Sequence, residues 1–208
     1  MNEKYFSSEY LARTYDQMAE SYNDNRHLFK NSSQLEELGE LVEKGDRVLD
    51  VGCGSGIPAG KYFVGHGCEL TGFDLSEKMI ELARKNVPAG DFFKADILTV
   101  DLPSETYDMV ISFYCIFHIE KKHQEDVFRK FHWTVKPGGY SYFTLAGDKY
   151  TGKREFQGTM RFGDHLLPYA HFSEDQYREM LTEVGFDILS MKDLTIGGET
   201  MLWVLARK

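Results

Sequence analysis

The chain has 208 residues, 42% of them hydrophobic, enough for one domain with a sizeable core. Lys plus Arg total 24 against 33 Asp plus Glu, and this formal net charge of -9 disfavours a DNA or RNA partner. No apolar run approaches the roughly 20 residues of a membrane span, and residues 1–10 lack a signal-peptide core.

Leu11, Tyr15, Met18 and Tyr22 recur at helical spacing and predict an amphipathic helix over 8–22. Leu35, Leu38, Leu41 and Val42 predict a second helix, capped at Ser32 or Ser33 and ended near Gly45, so residues 1–44 read as an N-terminal helical cap. Beyond it strands and helices alternate: strand 47–51, helix 57–65, strand 69–73, helix 76–85, strand 91–95 and strand 109–113. A helix at 121–134 follows, and Lys136-Pro137-Gly138-Gly139 turns into a strand at 140–145. Such alternation predicts a parallel sheet covered by helices on both faces. The end differs. After a helix at 173–184, Phe186–Leu189 and Met201–Ala206 read as strands joined across Gly197-Gly198, which suits an antiparallel pair. Residues 147–172 interrupt the alternation, and their aromatics, Tyr150, Phe156, Phe162, Tyr169 and Phe172, argue against disorder and for a functional insert in a single domain spanning 1–208.

The most informative segment is Asp50-Val51-Gly52-Cys53-Gly54-Ser55-Gly56, a glycine-rich turn between a strand and a helix N-terminus. Such a turn lets a ligand lie against bare backbone, facing free N–H groups and the positive end of the helix dipole. Dinucleotides and S-adenosylmethionine both use one. The dinucleotide fingerprint needs glycine or alanine where this chain has Ile57. Asp50 would also face the pyrophosphate, and at an effective dielectric near 20 two like charges 4 Å apart repel by about 4 kcal/mol. The ammonium of S-adenosylmethionine would welcome that carboxylate. Asp74 lies 22 positions after Gly52, close to the interval at which an acid reaches a ribose, although it also reads as a cap for the helix opening at Ser76. With Asp96, three acids stand at the C-terminal ends of three successive strands, where an open α/β sheet binds its ligand.

These residues, together with Tyr107-Asp108-Met109-Val110 and Lys136-Pro137-Gly138-Gly139, make the chain resemble the class I S-adenosylmethionine-dependent methyltransferases from about Tyr15 to the C-terminus. It is most similar to the small-molecule branch, in which a helix like Tyr15–Tyr22 covers the cofactor. The resemblance implies a Rossmann-like three-layer sandwich, with a seven-stranded, mostly parallel sheet and an antiparallel last strand. It also implies that Asp50 and the turn Gly52, Cys53, Gly54 and Gly56 hold the methionine end of S-adenosyl-L-methionine. Asp74 would take the ribose, Asp96 the adenine amino group and Ile97 the ring through its backbone. The backbone around Ser112 and Phe113 would face the ammonium, and Tyr22, Leu75 and Met79 complete the implied cofactor site.

A reactive sulfonium needs an aligned acceptor and a dry site more than a strong base. His118, at the crevice edge after the fourth strand, reads as a general base or as a residue that orients its loop. Tyr15 reads as core packing or as a ring or hydroxyl reaching the sulfonium. The insert at 147–172 and the helix at 8–22 are expected to close over a small-molecule methyl acceptor, with Tyr169 and His171 nearest it and Glu199 a weaker candidate. A non-catalytic S-adenosylmethionine-binding module and a nicotinamide-dependent oxidoreductase are the alternatives. No metal is expected, because His118 and His123 stand five apart rather than four. The cysteines, Cys53, Cys68 and Cys115, are odd in number and widely spaced, which suits a reducing cytoplasm.

Overall fold

The computed structural model describes residues 3–25 and 31–208. Seven helices, α1 (Ser8–Asn25), α2 (Ser32–Gly39), α3 (Ala59–His66), α4 (Glu77–Asn86), α5 (Lys121–Thr134), α6 (Asp148–Thr151) and α7 (Glu174–Val184), accompany nine strands among these residues. The strands are β1 (Arg47–Val51), β2 (Glu69–Asp74), β3 (Asp91–Lys94), β4 (Tyr107–Ser112), β5 (Val135–Leu145), β6 (Phe156–Phe162), β7 (His165–His171), β8 (Asp187–Ile196) and β9 (Glu199–Arg207).

Seven strands form one sheet in the order β3-β2-β1-β4-β5-β9-β8. β1 to β5 pair in parallel, and β9 runs antiparallel to both of its neighbours. This is the expected sheet. Alternate residues send side chains to opposite faces, and each face builds its own core. Val48, Leu70, Met109, Ile111, Tyr142 and Trp203 pack with α2, α3 and α4 on one side. Leu49, Phe73, Val110, Phe143 and Val204 pack with Phe128 and Phe131 of α5 and Leu181 of α7 on the other. Burying each large apolar side chain contributes about 1.5–3 kcal/mol, so the two apolar layers hold the sandwich.

Four features differ from the sequence reading. α2 stops at Gly39, a weak helix former, and the buried Val42 packs from the turn that follows. The last hairpin is longer than expected on both strands. The insert is a short helix, α6, followed by a separate two-stranded antiparallel sheet, β6 with β7. Pro168 fits within β7 because a two-stranded sheet leaves each strand an open edge, where a missing N–H costs no ladder bond. The turn at Lys136–Gly139 is a bulge: pairing with β4 breaks after Tyr107–Val135 and resumes at Met109–Tyr140. Lys136 donates there to both carboxylate oxygens of Asp108, at 2.7 and 2.8 Å.

Candidate active site

Strand order reverses between β1 and β4, and the C-terminal ends of the strands beside this point frame a crevice. α1 roofs it and is tied down along its length. Ser8 Oγ donates to Asp96 Oδ2 at 2.5 Å, and Asp16 Oδ1 accepts from Ser76 Oγ at 2.6 Å and from the Lys78 N–H at 3.1 Å. Near the far end of the helix, Asn86 Nδ2 donates to Asn23 Oδ1 at 3.0 Å and to the Ser55 carbonyl at 2.9 Å. From the opposite face of the sheet, Lys130 donates to the carbonyls of Ile97, Leu98 and Val100, fixing the loop after β3.

Beneath α1 lies a cavity of about 300 Å³. Its walls are Tyr15 and Tyr22 of α1, Gly52 and Gly54 of the turn, Asp74, Leu75 and Met79 after β2, Asp96 and Ile97 after β3, and Phe113, Cys115 and His118 after β4. A smaller cavity of about 30 Å³ adjoins it, lined by Asp50, Cys53, Ser55 and Gly56, and shares Tyr22, Gly52, Gly54 and Phe113 with the larger one. Fourteen of the seventeen predicted site residues, His118 among them, therefore line one crevice with two lobes. Ser112 does not. Its hydroxyl, fully buried, donates to the Val51 carbonyl at 2.9 Å and locks β4 to β1.

Glycine is required at the turn. Gly52 and Gly54 have φ of +70° and +52°, where a side chain is strained, and a Cβ on Gly52 would collide with Cys115 Sγ. A Cβ on Gly54 would meet nothing within 4 Å, so the missing side chain leaves a cradle open to both lobes. Ser55 Oγ is buried without a hydrogen-bond partner among the described residues, at the smaller lobe. A buried hydroxyl left so is costly, and an amino-acid group seated there would satisfy it. Donor, acceptor and cradle fit a ligand with an amino-acid end and a nucleoside end.

Asp74 lines the crevice and also engages the backbone around it. Its Oδ1 accepts from the Ser76 N–H at 2.9 Å and its Oδ2 from the Gly54 N–H at 3.0 Å, which ties the glycine turn to the end of β2. The helix cap itself is Ser76, whose Oγ accepts from the Met79 N–H. Burial raises the Asp74 carboxyl above its ordinary value, against the pull of the two backbone donors.

His118 is buried, with both ring nitrogens engaged. Nδ1 lies 2.6 Å from the Pro168 carbonyl, which only accepts, so Nδ1 carries the proton. Nε2 then accepts from the Tyr15 hydroxyl at 2.8 Å. Burial pushes the imidazole down to about 4, only partly offset by the Pro168 carbonyl, so the ring is neutral at pH 7. Burial and the nearby Tyr22, Tyr169 and Asp74 push the Tyr15 hydroxyl well above its ordinary range. Burial also pushes Cys115 up to about 12 and Cys53 upward, so both thiols stay protonated.

Tyr169 and His171 stand behind this wall rather than in it. Tyr169 stacks on Phe117 with ring centroids 5.2 Å apart, and the fully buried His171 accepts from Thr151 Oγ1 at 2.7 Å while its Nδ1 donates to the Phe172 carbonyl at 2.9 Å. Glu199 lies further back, with Oε1 3.5 Å from the Tyr150 hydroxyl. Sequence reasoning missed Ser8, Asp16, Ser55, Cys115 and the Pro168 carbonyl. Ser55 sits inside the glycine motif and its position was a usable signal, whereas the other four meet the crevice only through tertiary contacts.

An open α/β sheet with a two-lobed crevice at its switch point defines a nucleoside-binding fold. A family model described as a methyltransferase domain matches residues 48–139. The sterol 24-C-methyltransferase of Saccharomyces cerevisiae is 29% identical over 174 residues, 78% of this chain and 44% of that protein. The malonyl-[acyl-carrier protein] O-methyltransferase of Enterobacter lignolyticus is 30% identical over 139 residues, 66% of this chain and 54% of that protein. The chain thus spans about half the length of these relatives. Among solved structures, the 1,6-didemethyltoxoflavin-N1-methyltransferase of Burkholderia thailandensis, with 1,6-didemethyltoxoflavin and S-adenosylhomocysteine bound, has the same fold. It superposes with a TM-score of 0.69 at 19% identity, covering 96% of this chain and 89% of that one. Residues 48–139 thus carry the match to a methyltransferase domain, and the chain is similar over about two thirds or more of its length to these methyltransferases.

Proposed function

We propose that the chain binds S-adenosyl-L-methionine and transfers its methyl group to a small-molecule acceptor. The observation that carries this reading is the convergence of Asp50, Asp74 and Asp96, from three successive strand ends, on one continuous crevice. Asp50, the glycine turn and Ser55 would hold the amino-acid end, Asp74 the ribose, and Asp96 with Ile97 the adenine. Bound there, the cofactor supplies a methyl group on a positively charged sulfur, open to displacement by a lone pair.

The chain's own residues do the rest. α1 excludes water from the crevice, which strengthens every electrostatic contact inside. Proline's carbonyl fixes the His118 tautomer, His118 fixes the Tyr15 hydroxyl, and the oxygen lone pairs of Tyr15 remain to receive a hydrogen bond from the acceptor. His118 is thus a positioning residue acting through Tyr15. An imidazole at about 4 is a weak base at neutral pH, so alignment rather than proton removal is its contribution. A binding module without turnover would have no use for this oriented chain, and Asp50 with Ile57 weighs against a nicotinamide cofactor.

We read residues 1–208 as one catalytic unit, with 1–44 and 147–172 bounding the acceptor side, acting in the cytoplasm without nucleic acid or membrane as partner. Among the described residues no helix is long and apolar enough to cross a membrane, and Cys53, Cys68 and Cys115 are free thiols, as a reducing compartment allows. The test is S-adenosylhomocysteine formation with a panel of small acceptors. Turnover with at least one supports the reading; cofactor binding with no turnover across the panel returns the binding module.

A further inference from the structure

We propose that the acceptor is an amine, its nitrogen received against the aromatic wall formed by Tyr15, Tyr22 and Phe113; this rests on the methyl-transfer reading above. Three observations converge on it.

The first is the charge of the lining. Among the described residues no Lys or Arg lines either lobe; with Asp50, Asp74 and Asp96 assigned to the cofactor, the acid of the lining left to face an acceptor is Glu120, which pairs with Lys122 at 3.2 Å. A phosphate or carboxylate on the acceptor would find no Lys or Arg in the lining to pair with. An amine enters a field that draws it in.

The second is the continuity of the aromatic wall. Tyr22 meets Tyr15 edge-on at 6.1 Å between centroids, Tyr15 meets His118 at 5.7 Å, and His118 meets Tyr169 at 5.1 Å. Tyr169 and Tyr150 follow at 5.5 Å with their hydroxyls 3.3 Å apart, and the series ends on the Glu199 carboxylate. Ring faces and hydroxyl oxygens attract a cation, and a carboxylate behind them deepens that attraction. Tyr22 and Phe113 border both lobes, so the wall passes the point where they join.

The third is that His118 offers no free base beside Tyr15. Nε2 of His118 is the one imidazole nitrogen of the Tyr15 pair free of a proton, and it already accepts from Tyr15. An alcohol or acid that must lose its proton during attack finds no strong acceptor at Tyr15. A neutral amine brings its own lone pair. The nitrogen lone pair forms the N–C bond, the pair of the breaking S–C bond stays on sulfur to give the thioether, and the resulting ammonium then releases its proton to water. Atoms, charge and electrons balance without a base.

Two measurements test this. First, calorimetry establishes that S-adenosylhomocysteine binds; failure here defeats the methyl-transfer reading itself. The loaded protein is then titrated with choline and with its neutral carbon isostere 3,3-dimethylbutan-1-ol, followed by tyrosine fluorescence. Choline is expected to bind more tightly than the isostere, by about 5- to 30-fold. Glu199→Gln, which lies outside both lobes, should shrink that preference while leaving S-adenosylhomocysteine affinity within about twofold. Second, turnover is compared across amines and the alcohols, carboxylates and alkenes of matching shape. Amines should be methylated, and the rate should rise with pH through the pKa of each amine used, because only its neutral form attacks. Equal binding of choline and its isostere, or turnover of an alcohol, carboxylate or alkene without its matching amine, overturns the proposal.

Discussion

The Tyr15 hydroxyl stands 2.8 Å from Nε2 of His118 across 103 positions of sequence, and the Pro168 carbonyl on the far side of the ring fixes which nitrogen accepts. Two hydrogen bonds through one ring therefore join three segments: the roofing helix, the loop after β4 and the inserted hairpin. Removing the hydroxyl with Tyr15→Phe leaves a buried acceptor without its donor, a loss of about 1–3 kcal/mol in stability. Turnover should fall about 100-fold as the acceptor loses its alignment. Cofactor affinity should hold within about twofold. Single-turnover kinetics and a cofactor titration on the same variant check the two halves separately, and equal losses in both would assign Tyr15 to the cofactor instead.

Acid stability reports His118. Burial holds its imidazole at about 4 against an ordinary value of 6.5. Between those values the unfolded chain binds a proton that the folded chain refuses, so stability rises with pH across the window. The contribution is fully present above about 6.5 and is lost as pH falls towards 4, by up to about 3 kcal/mol. Asp74, whose carboxyl is raised, acts with the opposite sign, but it is common to wild type and His118→Gln and cancels in their difference. Urea melts of both proteins from pH 4 to 7.5 should show a steeper decline for wild type. Parallel curves would mean that His118 is charged or exposed in the fold.

Asp16 holds α1 to the start of α4 by accepting from Ser76 and from the Lys78 N–H. It acts as a cap supplied by another helix, and caps are worth about 0.5–2 kcal/mol. Asp16→Ala should loosen the roof while leaving the sheet intact. Faster hydrogen exchange over residues 8–25 and faster cofactor release are the expected results; unchanged exchange there would show that Ser8 and Asn23 suffice.

The sheet and the gathering of the glycine turn, Asp74 and Asp96 at one crevice were legible in the sequence because they depend on local pattern. Alternating apolar runs fix β1 to β5, and the glycine turn with Asp74 and Asp96 follows from spacing along βαβ units. The acceptor side was not. Tyr169 and His171 are polar residues in an insert without periodicity, and both turn into the protein to satisfy Phe117, Thr151 and Phe172 instead of facing the crevice. What Tyr15 and His118 do depends on the Pro168 carbonyl, and a backbone group has no signature in a sequence.

Tyr169 supports the wall from behind, stacked on Phe117 and edge-on to His118. Tyr169→Ala removes a nearly fully buried ring, and large aromatic truncations cost about 3–5 kcal/mol. With the hairpin loosened, Pro168 would no longer hold His118, so acceptor use should fall more than cofactor affinity. Two titrations on this variant decide it, and equal losses would mean that the ring supports the fold generally.

The central claim is that the crevice receives S-adenosylmethionine through its three strand-end acids, and calorimetry on wild type and Asp74→Ala tests it most directly. Wild type should bind S-adenosylhomocysteine and show no heat with NAD. Loss of a charge-assisted pair at Asp74 should weaken S-adenosylhomocysteine about 10- to 100-fold. Tight NAD binding, or the same S-adenosylhomocysteine affinity in Asp74→Ala as in wild type, would contradict the account.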